Sequence, residues 1–65
     1  MLIIGFTESK MNLCESFIVD NYEKPQTLAN IFHQRTGEWP SFIVVVNENK
    51  VVAKYSFDDY EIVDI

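Results

Sequence analysis

The sequence predicts an α+β fold in which one helix crosses one side of a small mixed sheet of four to five strands. Three observations carry that expectation. One segment places apolar residues at helical spacing, Leu28, Ile31 and Phe32, with Pro25 ahead of it and Gly37 and Pro40 behind it. Residues 41–46 (SFIVVV) form a β-branched run too short and too branched to prefer a helix. Residues 13–19 (LCESFIV) alternate, with Leu13, Glu15, Phe17 and Val19 on one side and Cys14, Ser16 and Ile18 on the other. The element order is strand, strand, helix, strand, short strand, strand (β-β-α-β-β-β), and the 65 residues are read as one domain, 1–65. A chain of this size buries only about 60% of the surface its unfolded form exposes, enough for one thin core.

Residues 1–6 (MLIIGF) have the bulk of a short strand, and the polar residues 7–12 (TESKMN) turn the chain into residues 13–19, making an N-terminal hairpin. Residues 20–26 (DNYEKPQ) are polar and lead to the helix. Thr27 suits the N-cap, while Pro25 equally suits the first helical position, so the start is left open between them. Gly37 suits a left-handed C-cap, and Pro40 stops the helix from running on. The run at 41–46 is expected to be covered on much of both faces, or to form an edge that pairs with a second chain. Residues 47–50 (NENK) turn it into a short strand at 51–54, and residues 60–65 supply the last strand after an acidic turn. The N- and C-terminal strands are then expected to lie side by side and parallel in the centre. A ferredoxin-like arrangement needs a second helix, for which residues 54–59 are too short and too aromatic.

Hydrophobic residues make up 48% of the chain, including five Phe, three Tyr and one Trp, which argues against disorder. Ten acidic against five basic residues give a formal charge of −5, which opposes binding to nucleic acid or an anionic membrane and favours partners with basic faces. A mimic of nucleic acid is disfavoured too, because much of the charge falls in turns. One cysteine allows no internal disulfide and no multi-cysteine metal site, and it fits a reducing compartment. The opening apolar run lacks a basic leader, and no stretch approaches the roughly 20 apolar residues of a membrane span, so the expected location is the cytoplasm.

Several segments resemble the ThiS and MoaD group of small sulfur carriers in thiamine and molybdopterin biosynthesis, which share the ubiquitin-like β-grasp fold. Thr27 and Leu28 followed by Ile31 and Phe32 are similar to that family's helix start. Residues 44–52 (VVVNENKVV) resemble its valine-rich strand, asparagine turn and returning strand, and Phe57, Asp59, Glu61, Val63 and Ile65 resemble its closing segment. Tyr60 stands where the family has a turn glycine, and the family's terminal Gly-Gly tail does not occur within residues 1–65. The resemblance implies a non-enzymatic carrier with no cofactor of its own, which hands sulfur on through protein contacts if such a tail follows residue 65. Its partners would be an adenylating activating enzyme, which brings ATP, and a sulfur-accepting synthase. The alternative is a tail-less β-grasp interaction module that regulates or inhibits another protein.

The candidate interaction residues are Trp39 and the C-terminal group Asp58, Asp59, Glu61, Asp64 and Ile65. Trp39 lies between Glu38 and Pro40, where it is expected to pack over the helix end or to anchor an interface. The acidic group lacks the regular spacing of calcium ligands and reads as a solvated rim able to steer the chain toward a basic surface. Cys14 is expected to be a buried small residue and His33 an ordinary surface histidine. With 18 residues between them and no third orienting group, they form no catalytic pair. No catalytic, metal-ligating or cofactor-binding residue is assigned.

Overall fold

The computed structural model describes residues 1–7, 13–58 and 61–64, with side chains described for residues 1–7 and 13–57. The elements are β1 (Leu2–Phe6), β2 (Cys14–Ile18), α1 (Pro25–Thr36), β3 (Phe42–Asn47), β4 (Lys50–Asp58) and β5 (Glu61–Asp64). This is the expected β-β-α-β-β-β order of an α+β, β-grasp-like fold, with the one helix packed on the sheet.

Strand pairing departs from the expectation. The sheet is five-stranded in the order β2-β1-β3-β4-β5, and every pairing is antiparallel. It is therefore not a mixed sheet, and the first and last strands are not neighbours: β1 lies between β2 and β3, while β5 lies beyond β4. The physical reason is the length of β4. It runs from Lys50 to Asp58 rather than over the short segment 51–54, and Asp58 is already paired with Glu61. A connection of two residues, 59–60, can join only adjacent antiparallel strands, so β5 has no slack with which to reach the centre. The run at 41–46 is likewise no edge, since β3 is paired with β1 on one side and β4 on the other.

The N-terminal hairpin forms as expected. Below residues 8–12 it is closed by Thr7 N–H donating to Leu13 O at 2.9 Å and Leu13 N–H donating to Thr7 Oγ1 at 2.9 Å. At its other end the Met1 ammonium donates to Val19 O at 2.7 Å.

The helix starts at Pro25, whose missing N–H is harmless in the first turn; Lys24 holds the cap position without a side-chain bond. Thr27 is inside the helix, and its N–H donates to Lys24 O at 3.0 Å. Gly37 ends the helix in the left-handed region at φ 81°, and its N–H donates to His33 O at 2.8 Å. The turn between β3 and β4 has Glu48 at φ 53° and Asn49 at φ 65°. Two successive left-handed residues form the type I′ turn that matches strand twist. A register shift after Val45 leaves Val52 as an extra residue in β4, since Val45 pairs with Ala53 and Val46 with Val51.

The core lies between the helix and one face of the sheet. Leu28, Ala29 and Phe32 of α1 pack with Ile3, Phe17, Ile43 and Val45 from β1, β2 and β3, all seven buried. Gly5 is buried beneath Phe32 because the ring occupies the space of a side chain: a Cβ there would press on Cδ2 and lie 2.6 Å from Cε2. At one margin the Tyr22 and Tyr55 hydroxyls bond at 2.7 Å with their rings edge to face. At another, Arg35 reaches from the helix to Glu15 Oε1 at 3.1 Å while its guanidinium lies 5.7 Å from the centre of the Phe17 ring.

Candidate functional site: an open apolar sheet face

Strand residues alternate between faces, and paired residues in an antiparallel sheet share a face. Since Ile3, Gly5, Phe17, Ile43 and Val45 point to the helix, their strand neighbours point away from it. Those neighbours fall into rows across β2, β1, β3 and β4. The first row is Ile18, Leu2, Val46 and Val51. Next come Ser16, Ile4, Val44 and Lys54, and the last is Cys14, Phe6, Phe42 and Ser56.

Eight of these twelve side chains are apolar, and Lys54 is the only charged one among them. Nothing in the chain covers them among the described residues, because the one helix lies on the opposite face. Ile18 is 78% exposed, and Leu2, Phe6 and Val51 are exposed as well. A shallow depression of about 310 Å³ opens beside Phe6, Phe42, Val44 and Lys54. Scattered apolar residues are ordinary on a protein surface, but a contiguous apolar area spanning four strands is the mark of a contact surface.

The sequence held a signal for this face that the reading of 41–46 only half used. Strands β1 (LIIGF) and β3 (FIVVVN) are apolar on both sides, which is the pattern of strands covered on both faces. One helix covers only one. The described fold supplies no cover for the second face, and this mismatch between two apolar faces and one helix is readable from the chain alone.

The residues singled out in the sequence are not brought together on this face. Trp39 packs over the helix end, its ring parallel to that of His33 at 4.0 Å between centroids and 1° between planes. It remains 55% exposed. His33, expected to point partly to solvent, is half-buried, and its Nδ1 is shielded with no hydrogen-bond partner among the described residues. Thr36 finishes the helix beneath them, donating from Oγ1 to Phe32 O at 2.9 Å and accepting from Glu38 N–H at 3.1 Å.

Cys14 is exposed, contrary to expectation. It does lie opposite Phe17 in the alternation, but that side is the uncovered face. Asp58 closes β4, while Glu61 and Asp64 begin and end β5. Asp59 and Ile65 lie outside the described residues. No group of three or more His, Cys, Asp or Glu among the described residues could hold a metal ion. No helix among them is long and apolar enough to cross a membrane.

Comparison with protein-family models, with curated proteins and with solved structures gives no match to this chain.

Proposed function

We propose that this small β-grasp-like protein is a non-enzymatic interaction module that works in the cytoplasm by docking a protein partner on its open sheet face. The observation that carries the reading is the set of apolar side chains on β1, β2, β3 and β4 turned away from the helix, with Lys54 the only charged residue among the twelve in those rows. Burying a Leu, Ile, Val or Phe side chain contributes about 1.5–3 kcal/mol. Association costs about 4–15 kcal/mol in lost freedom, so most of the eight apolar residues must be buried together for binding without a charge contact. Trp39 and the acidic C-terminal residues lie outside these rows and serve in this reading as a secondary contact and as long-range steering.

The test is photo-crosslinking in the cells that make the protein, with the photoreactive side chain placed once at Ser16 on the open face and once at Asn30 on the exposed side of the helix. Products from position 16 and none from position 30 are expected. Equal yields, or none from position 16, overturn the reading.

A second reading, sulfur carriage, is supported by the element order and by the resemblance of residues 27–32, 44–52 and 57–65 to the ThiS and MoaD group. Against it stands the position of β5 at the outer edge beside β4 instead of beside β1. It requires a Gly-Gly tail after residue 65, an activating enzyme and an accepting synthase. Intact-mass measurement of the native protein tests it directly: a longer chain ending in Gly-Gly and carrying an oxygen-to-sulfur exchange supports carriage, and its absence removes this reading.

A further inference from the structure

We propose that the partner of the open face is a second copy of this chain, packed sheet on sheet about a two-fold axis running parallel to the strands between β1 and β3. This rests on the interaction reading and names the occupant.

Such an axis stacks β1 on the partner's β3 and β2 on the partner's β4, and it keeps each cross-strand row facing its own counterpart. The rows are then self-complementary. In the first, Leu2 faces the second copy's Val46, and Ile18 faces its Val51. In the middle row Ile4 faces Val44, and Ser16 faces Lys54. In the last, Phe6 faces Phe42, and Cys14 faces Ser56. Apolar side chains meet apolar ones, and the four polar positions meet each other.

A two-fold axis that instead runs across the strands, through the middle row, stacks each strand on its own mate. It places Lys54 over Lys54 and sets Ile18 against Cys14 and Val51 against Ser56. The axis along the strands instead separates the two ammonium groups by about three strand spacings laterally and one intersheet distance, roughly 17 Å, well beyond the Debye length at physiological salt.

Area fits a weak, concentration-dependent dimer. Four strands of about five residues present a projected face of roughly 19 by 17 Å, so two corrugated faces remove on the order of 1,000 Å² from water, the lower limit of specific interfaces. Two equally twisted sheets also pack at the usual angle of about −30° and spacing of about 10 Å. The charge of −5 is no obstacle, since Lys54 is the only charged group in the stacked rows and the repulsion between rims is screened.

The experiment is sedimentation equilibrium of the native chain from about 5 µM to about 1 mM, a range that brackets weak association. The expected mass rises from 7.6 kDa toward twice that value. Val44→Lys, at the centre of the face, is expected to weaken dimerisation at least tenfold.

Ser16→Glu tests the axis, because it adds negative charge to an already acidic chain and yet is expected to strengthen dimerisation severalfold at low salt by facing the partner's Lys54. Ser16→Lys does the reverse. Ser16 is exposed, so these variants remain folded, and far-UV circular dichroism checks it.

A wild-type chain that stays monomeric throughout overturns self-association. If position 16 still crosslinks to chains of other mass, the interaction reading stands alone; if it crosslinks to nothing, both fall. A dimer indifferent to Val44→Lys, or weakened by Ser16→Glu, overturns the stacking.

Discussion

Replacing Gly5 by alanine isolates the contact on which the packing of the helix depends. The added methyl would press on Phe32 Cδ2 and lie 2.6 Å from Cε2 and 3.2 Å from Cγ. Carbon atoms pack at about 3.5–4.0 Å, so the ring must recede by roughly 1 Å. Phe32 has nowhere to go, being fully buried with Leu28, Ile3, Ile43 and Val45 around it. Overpacking of this kind costs about 1–3 kcal/mol, and an encounter with an immobile ring belongs at the upper end. Alanine returns about 0.4–1 kcal/mol by restricting the unfolded chain, leaving a net loss near 2 kcal/mol. For a chain of this length, whose whole stability is about 3–10 kcal/mol, that loss lowers the melting temperature by about 8–16 °C.

The assay is urea unfolding followed by Trp39 fluorescence and circular dichroism, for Gly5→Ala, Phe32→Leu and the double variant. Leucine makes room for the methyl, so the two changes should be non-additive by at least about 1 kcal/mol. Gly37→Ala is the control. Nothing lies within 4 Å of a Cβ there, and its φ of 81° alone imposes a penalty of about 1–2 kcal/mol that Phe32→Leu cannot relieve. A Gly5→Ala protein within 0.5 kcal/mol of the parent (about half the smallest overpacking loss), or strict additivity with Phe32→Leu, refutes the described packing of helix on sheet.

Three further outcomes follow from local geometry. Glu48→Gly relieves a left-handed residue at φ 53° in the β3–β4 turn and should raise stability by about 0.5–1 kcal/mol, read as a higher urea midpoint at unchanged slope. Glu15→Gln removes a pair whose side chains are 49% and 37% exposed and should change stability by less than about 0.5 kcal/mol. Arg35→Ala also uncovers the Phe17 ring and should lose about 1 kcal/mol, so equal effects of the two variants would contradict the stacking of Arg35 on Phe17. His33→Ala exposes the second face of the only tryptophan and should steepen quenching of Trp39 emission by iodide; an unchanged quenching slope would mean the rings are not stacked.

The elements were legible because each is marked by residues with one conformational use. Pro25 and Gly37 bracket the helix, Leu28 and Phe32 mark its buried side, and the alternation at 13–19 correctly puts Phe17 inside. Strand order was not legible. It turned on whether residues 55–58 extend β4 or form a connection, and Tyr55, Ser56 and Phe57 carry no breaker that decides it. Once they extend the strand, the two-residue link to β5 fixes a meander. Cys14 went wrong for a related reason: alternation tells which side of the strand it occupies, but not which side the helix will cover.

That ambiguity explains why composition pointed away from the site. The acidic residues drew attention to the C-terminal end and to steering, whereas the described charges largely avoid the part of the surface with the most to gain from contact. Among the rows of the open face, Lys54 is the single ionised group. A chain with an uncovered apolar sheet needs charge to remain dispersed, and a formal charge of −5 over 65 residues supplies it, with no carboxylate among the twelve residues of the rows on β1 to β4. The two features are therefore one arrangement. On the proposed association, the charge keeps encounters between chains reversible, while the apolar rows determine which encounters persist.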